Sequence, residues 1–322
     1  MNHNKILFIT TKNLDYIRNT QEIRLLKEYT SEVTVVGSVH KKYLNRLLAV
    51  YKKLLITDIS CYDKIVIGFA PQLILPIWKK KFKKKYLIID FFISMYDTFV
   101  NDRKVCSERS FLAKFLKWLD VYTIKCADRI IVDTNAHGEY FAEAFDADQD
   151  KMITLYLEAD KDIYYPHEVE KPARLQDKKI VLYFGSVLPL QGVDIVLDAF
   201  DLLKDDKRFY FYMIGKVGEK YRKPQSDNIE YIEWLSQKEL SDYIAVADVC
   251  LAGHFNKDIA KAHRTIPGKA YIYHAMQKKM ILGDSRANHE LYDESEQIYY
   301  TPMGDAQALA QTIIKSTVLP KR

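Results

Sequence analysis

No stretch of this chain approaches the roughly 20 consecutive apolar residues that a transmembrane helix needs. The first apolar run, KILFI from Lys5, is too short for the core of a secretory signal and runs straight into polar residues. Membrane-spanning and exported proteins are set aside on these grounds, and the chain is expected in the cytoplasm. Cysteine is scarce. Cys61, Cys106, Cys126 and Cys250 have no metal-ligand spacing and lie in or beside apolar segments, so they read as reduced, buried thiols. Glycine is scarce too, at 11 residues in 322. No Gly-x-Gly-x-x-Gly follows the first apolar strand, where the turn reads TTKNLDYIRN. A dinucleotide site of the NAD type in the first half is thereby argued against. Low-complexity tracts and short-period repeats are absent as well.

What is present is a globular composition, 48% hydrophobic with a net charge of +5. That content excludes a disordered chain, and 322 residues exceed what one core usually serves. The pattern along the chain agrees with two domains. Lys5–Thr10 reads as a buried strand, residues 15–29 as a helix and residues 32–37 as the next strand, a βαβ unit with a parallel sheet. Strands follow at 64–68, 86–89, 129–133 and 152–157. A polar, proline-bearing stretch, about residues 158–178, is the linker candidate. The alternation then restarts with Ile180–Gly185 and continues through 209–214, 229–234 and 248–252. Residues 1–170 and 171–322 are therefore expected to form two α/β domains. Ligands in such sheets bind at the C-terminal strand ends, so a cleft is expected where those two edges face each other.

The most informative stretch is RTIPGKAYIYHAMQKKMILGD, from Arg264 to Asp284. Pro267-Gly268 opens an apolar-periodic segment, and proline suits a first helical turn because its missing N–H has no partner there. Helix starts offer free N–H groups and the positive end of a dipole. Lys261, His263, Arg264 and Lys269 crowd the same end. Such a group suits a multiply charged anion, most simply a diphosphate. It also suits a surface helix whose basic first turn is solvated and idle.

Two basic patches precede it. HKKYLNRLLAVYKKLL, residues 40–55, sets Tyr43, Leu44, Leu47, Leu48 and Leu55 against Lys41, Lys42, Arg46, Lys52 and Lys53. After an apolar segment ending at Trp78 comes KKKFKKK, carrying Lys79, Lys80, Lys81, Lys83, Lys84 and Lys85. Cations beside aromatic and aliphatic side chains fit an anionic membrane surface. Taken alone, the first patch fits an ordinary helix with a solvated basic face better, and the second cluster shifts the balance. Nucleic acid competes for such cations, but no recognised binding motif accompanies them, and none is expected as a partner. Between the patches and the linker, strand 86–89 delivers Asp90 to its C-terminal end. The aromatic loop that follows also carries Asp97. Either carboxylate could act on a ligand, or serve as a turn or cap.

Taken together, YFGSVLPLQGVDIVLDAF, ADVCLAGHF, RTIPGKAYIYHAMQKKMILGDSRANHELY and GDAQALAQTI in the second half, with DFFISMYDTFVNDRK and ADRIIVDTNAHGEYFAEAF in the first, carry a resemblance. In their order and spacing the chain resembles bacterial glycosyltransferases of the GT-B architecture, family 4 (group 1), of the capsule, lipopolysaccharide and exopolysaccharide type. The resemblance spans nearly the whole chain. It implies two Rossmann-like domains facing a central cleft, the first for the acceptor and the second for a nucleotide-diphosphate sugar. Retention of anomeric configuration is implied, with the leaving phosphate taking the acceptor's proton. Arg264 and Lys269 would neutralise the diphosphate. Gly185 would let a turn approach it, Pro267 and Gly268 would open the helix at it, and Gln191 and His263 would stand beside it. Gly215 and the 229–235 segment with Trp234 would line the base, and Glu290 would hold ribose or sugar hydroxyls. Asp90, with Asp97 as its rival, would orient the acceptor or act as base. No bound metal or cofactor is implied, since cations of the chain replace one. The expected setting is the inner face of the cytoplasmic membrane, with a lipid-linked acceptor. The chain departs from the pattern at Gln191, where many relatives carry lysine, and at Ile272, where many carry glutamate. These departures leave room for an alternative, a catalytically weak protein of this architecture that binds nucleotide or a partner as a scaffold.

Overall fold

The computed structural model describes residues 4–317. It divides into two compact units that meet in the chain at Glu158 and Ala159, ahead of the expected 170/171 boundary. Side-chain hydrogen bonds explain the position. Tyr164 Oη donates to Gln237 Oε1 at 2.6 Å, and Lys171 Nζ bonds Asp248 Oδ2 at 2.9 Å. The polar stretch expected as a linker is thus bound to the second unit.

In unit 1 the elements run β1 (Ile6–Ile9), α1 (Ile17–Tyr29), β2 (Val33–Val36), α2 (Tyr43–Ile56), β3 (Lys64–Ile67) and α3 (Leu75–Trp78). They continue with β4 (Tyr86–Asp90), α4 (Phe111–Cys126), β5 (Arg129–Val132), α5 (Asn135–Phe145) and β6 (Met152–Thr154). All strand pairs are parallel, in the order β2-β1-β3-β4-β5-β6. Parallel sheets need cover on both faces, which is why these strands are apolar throughout rather than alternating. Val50, Leu54, Leu75, Trp78, Ile124, Phe141 and Phe145 bring α2 to α5 onto one face. Ile23 and Leu26 of α1 pack on the other. Helix starts are set locally: Ser110 Oγ accepts from Ala113 N, and the Thr134 side chain accepts from His137 N. Residues 97–102, part of the expected loop, form a π-helical turn.

Unit 2 runs β7 (Lys179–Phe184), α6 (Val193–Leu203), β8 (Phe209–Ile214), β9 (Ile229–Ile232), α7 (Gln237–Val246) and β10 (Val249–Gly253). Then come α8 (Ala260–Arg264), α9 (Gly268–Ala275), β11 (Met280–Gly283), α10 (Arg286–His289), β12 (Ile298–Thr301) and α11 (Ala306–Thr317). The sheet order is β12-β11-β10-β7-β8-β9, again all parallel. A capping box forms at the start of α7, Ser236 with Glu239. The order makes a point of reversal. From β7 the chain steps outward to β8 and β9, then returns to the other side of β7 with β10. Such reversal leaves a crevice at the C-terminal ends of the two strands, the usual ligand position in open α/β sheets. Both units are thus Rossmann-like α/β folds. All four cysteines are free, and Cys61 is exposed rather than buried, because it sits in a surface 3-10 turn.

Candidate functional site

At the reversal between β7 and β10, Lys269 reaches in from the first turn of α9. Its side chain is 6% exposed. Nζ donates to Gln191 Oε1 at 2.7 Å and lies 3.9 Å from the centroid of the Tyr183 ring. Two turns frame it. A Cβ on Gly185, just after β7, would stand 3.3 Å from Nζ, and one on Gly253, at the end of β10, would stand 3.9 Å away. Gly185 has φ +140°, a backbone that L side chains rarely adopt. Gly215, after β8, is tied to the same turn, because a Cβ there would come within 2.3 Å of the Gly185 carbonyl oxygen. Side chains are excluded here by the close approach of two strand-end turns.

Burial holds the Lys269 ammonium well below the ordinary lysine range. His254, the residue after β10, is pushed down to about 3 by burial and then by Lys269. It is therefore a neutral imidazole at physiological pH. The pocket presents one cation without a carboxylate beside it, over an aromatic face, at the start of a helix. Pro267 is the N-cap of α9 and offers no side-chain acceptor to the first N–H groups. Gly268 is exposed, and a Cβ there would meet nothing within 4 Å. Backbone donors, a helix dipole and a dehydrated ammonium are together suited to a phosphate oxygen. Arg264 ends the short helix α8 and is half-buried. His263 is turned to the Lys257 carbonyl, 2.9 Å from Nε2. Glu290 follows α10 and is half-buried, while Trp234 is 77% exposed at the end of the β9 segment. Ile272 stands within α9.

The first unit holds a second buried charge group. Asp90 ends β4 and is 1% exposed. Arg18 of α1 clasps it with both arms, Nε to Oδ2 at 2.8 Å and Nη2 to Oδ1 at 2.9 Å, and Nη1 donates to the Leu155 carbonyl at 2.6 Å. Glu22, one turn further along α1, is buried against the same carboxylate, and neither of its oxygens has a hydrogen-bond donor. Ionised, two such groups would be acceptors without a proton between them. Burial first, and Asp90 second, hold the Glu22 carboxyl well above the usual range. Burial thus opposes a second negative charge on the pair and also raises Asp90, while the Arg18 guanidinium favours placing the charge on Asp90. Asp90 was expected as a free acceptor-orienting carboxylate or base. Both of its oxygens are occupied, because α1 packs an arginine over the strand end.

Asp97 is fully buried at the start of the π-helical turn, where its Oδ1 accepts from Asn101 Nδ2 at 3.0 Å. The loop between Asp90 and Asp97 is held by a residue the sequence did not single out. Asp120 of α4 accepts from Ser94 Oγ at 2.7 Å, Tyr96 N at 2.8 Å, Gln72 Nε2 at 2.9 Å and Met95 N at 3.1 Å. Its one sequence signal is that it is the only carboxylate in an otherwise apolar and basic helix. Arg18 carried no such signal, being 72 residues from its partner.

Several cations expected at a lipid surface have other partners. Arg46 is 5% exposed, with its guanidinium on the carbonyls of Thr11, His40 and Lys41. Lys53 Nζ bonds the Gly37 carbonyl at 2.7 Å. In the KKKFKKK run, Lys79 bonds the Cys126 carbonyl at the end of α4, and Lys81 bonds the Leu54 and Leu55 carbonyls at the end of α2. Lys85 bonds the Ser60 and Tyr62 carbonyls, and Phe82 and Trp78 lie in the core. These lysines terminate helices, where cations meet unpaired carbonyls and the negative dipole end. Three of the run's six lysines thus have structural partners. Lys41, Lys42, Lys52, Lys80, Lys83 and Lys84 remain exposed.

Comparison with known proteins bears on unit 2 in sequence and on both units in structure. Residues 178–317 match the family described as glycosyl transferases group 1. A D-inositol 3-phosphate glycosyltransferase from Streptomyces scabiei is 23% identical over 156 residues, covering 42% of this chain and 35% of that protein. The match therefore spans about a third of that relative's length. Among solved structures, sucrose-phosphate synthase from Thermosynechococcus elongatus superposes with a TM-score of 0.68 at 13% identity, over 97% of this chain and 89% of the other. Anabaena HepE in complex with UDP and glucose superposes with a TM-score of 0.64 at 13% identity, over 98% and 92%. At these identities the structural likeness is one of fold.

Proposed function

From a group 1 glycosyltransferase domain over residues 178–317, we propose that this chain transfers a sugar from a nucleotide-diphosphate donor to an acceptor hydroxyl. The observation that carries the reading is the Lys269 pocket: a buried ammonium between two side-chain-free turns at the switch point of unit 2. The likeness to a structure holding UDP and glucose supports the donor class. In the reaction, the bond between the anomeric carbon and the diphosphate oxygen breaks, and a bond from that carbon to the acceptor oxygen forms. The acceptor's proton passes to the departing phosphate, and configuration is retained. Lys269 donates to the diphosphate and, with Arg264, offsets the charge that grows as it leaves. The N–H groups at Gly268 and Lys269 add to this, Trp234 and Gly215 flank the base, and Glu290 takes a ribose or sugar hydroxyl.

Unit 1 receives the acceptor in this reading. The Arg18–Asp90 pair acts there as an anchor for the strand end, with Asp97 the rival carboxylate for the acceptor. The acceptor is lipid-linked and the product belongs to surface polysaccharide synthesis. The chain works at the inner face of the cytoplasmic membrane; among the described residues no helix is long and apolar enough to cross it. Exposed cations of unit 1 supply attraction to that surface.

A scaffold that binds nucleotide without turnover is the second reading. It is favoured by Gln191, which engages Lys269 as an uncharged partner and adds no second cation. Thermal shift against a panel of nucleotide sugars, followed by donor hydrolysis with the stabilising ones, separates the two. Turnover of any donor, with the product's anomer matching the donor's, is the expected result. Stabilisation without turnover at any enzyme concentration would select the scaffold.

Donor binding has a proton signature as well. An anion at Nζ favours the charged form that burial disfavours, so the complex is expected to take up a proton from solution between the lowered Lys269 pKa and its higher value in the complex. In calorimetry the apparent heat of nucleoside diphosphate binding would then vary with the buffer's ionisation enthalpy, and that of the bare nucleoside would not. Equal buffer dependence for both ligands would place the diphosphate away from Lys269.

A further inference from the structure

The outward face of α4 carries an aromatic stripe. Phe111, Phe115, Trp118 and Tyr122 recur at helical spacing, while Ala113, Leu116, Leu119 and Ile124 face the core. Phe111 is 86% exposed and Trp118 is 53% exposed. Phe115 and Trp118 stack at 5.8 Å between centroids, and Trp118 and Tyr122 at 5.5 Å, so the rings form a continuous ladder. Helices α2 and α3 lie on the same side of the sheet and expose Leu44, Leu48, Leu55 and Ile77. Exposed apolar side chains concentrated on one side of a sheet in this way mark a contact site.

The face's own charge is basic, with Asp146 beside Lys125 at 4.0 Å as an acidic neighbour. The only Asp or Glu in these three helices is Asp120, which is buried beneath the ladder's helix. Lys114, Lys117 and Lys125 border the stripe, and exposed Lys80, Lys83 and Lys84 follow α3. Such a face repels a second copy of itself. Aliphatic side chains at its centre offer nothing to a nucleic acid, whereas rings and leucines bordered by cations match the interfacial zone of an anionic bilayer. The helix-capping lysines of the KKKFKKK run are not needed for this.

We propose that the Phe111–Phe115–Trp118 face of α4, flanked by the outer side of α2, is the surface through which this protein inserts into an anionic lipid interface. The proposal rests on the glycosyltransferase reading for its purpose, bringing unit 1 to a lipid-linked acceptor, and not for the contact itself. Insertion of the rings supplies the part of binding that salt leaves intact. Exposed lysines supply the part that salt screens within about 8 Å at 0.15 M.

The test uses the full chain and vesicles of phosphatidylglycerol with phosphatidylcholine, against phosphatidylcholine alone. Trp118 is read as the emission difference between the parent and Trp118→Phe, with Trp234 left in place. Its emission is expected to shift to the blue on anionic vesicles and to be quenched by brominated acyl chains. The Phe115→Ser/Trp118→Ser variant is expected to partition at least about tenfold more weakly, about 1.4 kcal/mol, and to lose the salt-resistant fraction. Lys80→Gln/Lys83→Gln/Lys84→Gln is expected to lose only the salt-sensitive fraction. Both substitutions lie on exposed side chains, so unchanged melting and unchanged nucleoside diphosphate binding are the folding controls. Undiminished sedimentation of the Ser variant with anionic vesicles overturns the proposal. So does a parent that self-associates, or that binds a single-stranded oligonucleotide, through these same two rings. Nucleotide turnover that persists while vesicle binding fails removes the membrane face and leaves the enzyme reading standing. Vesicle binding without any nucleotide binding does the reverse.

Discussion

Lys269→Met is expected to melt above the parent and to lose its preference for nucleoside diphosphate over nucleoside. The two effects have one cause. In the parent the ammonium is buried, with Gln191 Oε1 and the Tyr183 ring as its contacts, and burial holds its pKa well below the ordinary lysine value. An unfolded lysine binds its proton with ordinary affinity, so the unfolded chain holds more protons than the folded one between the two pKa values. Stability of the parent therefore rises with pH across that window, up to the ordinary lysine value near 10.4. Methionine keeps the length, fills the space over the ring and carries no charge to desolvate, so its stability is higher at neutral pH and flatter with pH. What it cannot do is donate to a phosphate. A hydrogen bond to a charged group contributes about 1.5–3 kcal/mol, roughly ten- to hundred-fold in affinity. Calorimetric melting from pH 6 to 10, with titration of both ligands, checks it. A variant that binds diphosphate as the parent does would remove Lys269 from the donor site. Stabilisation at the expense of a ligand is the pattern of a group strained for function.

Asp90→Ala is expected to have the opposite effect on stability. It leaves the Arg18 guanidinium buried with the Leu155 carbonyl as its remaining hydrogen-bond partner. Breaking a buried pair from one side costs about 3–5 kcal/mol. At roughly 2–4 °C per kcal/mol for a unit of this size, melting falls by about 6–20 °C. Removing both charges, as in Arg18→Met/Asp90→Leu, is expected to recover most of that, because the desolvation of both ions goes with them. The double variant also separates structure from chemistry. If it melts near the parent and still transfers sugar, Asp90 is an anchor and nothing more. If it folds, binds donor and does not transfer, the carboxylate acts on the acceptor. Glu22→Gln isolates the Glu22 proton. The parent's Glu22 holds its proton where an unfolded glutamate has lost it, so that contribution to stability falls as pH rises above the usual carboxylate range. Glutamine has no proton to lose, and its melting is expected to vary less with pH there.

These residues also mark what one dimension can carry. Lys269 was legible from a local signal, a proline-opened helix, whereas Gly185 and Gln191 entered only through the family resemblance. The structure brings all three within a few ångströms, and adds Tyr183, Gly253 and His254, which have no local mark. The lysine run shows the converse. Its density in the sequence looked like a surface patch, yet three of its six ammoniums bond backbone carbonyls, two of them at helix ends more than 25 residues away.

By itself, the sequence determined the fold class: period and length of the apolar runs, and turn chemistry between them, are local properties, and parallel sheets covered on both faces follow from them. Two α/β units and the basic helix start belong to that inheritance. Only the tertiary structure decided which charges are buried and with whom. Arg18 meets Asp90, Asp120 gathers the loop after β4, and the ring ladder of α4 is left facing outward while Trp78 and Phe82 turn in. The physical reason is that desolvation and pairing depend on what the rest of the chain brings within a few ångströms. Residue type and spacing along the chain fix neither.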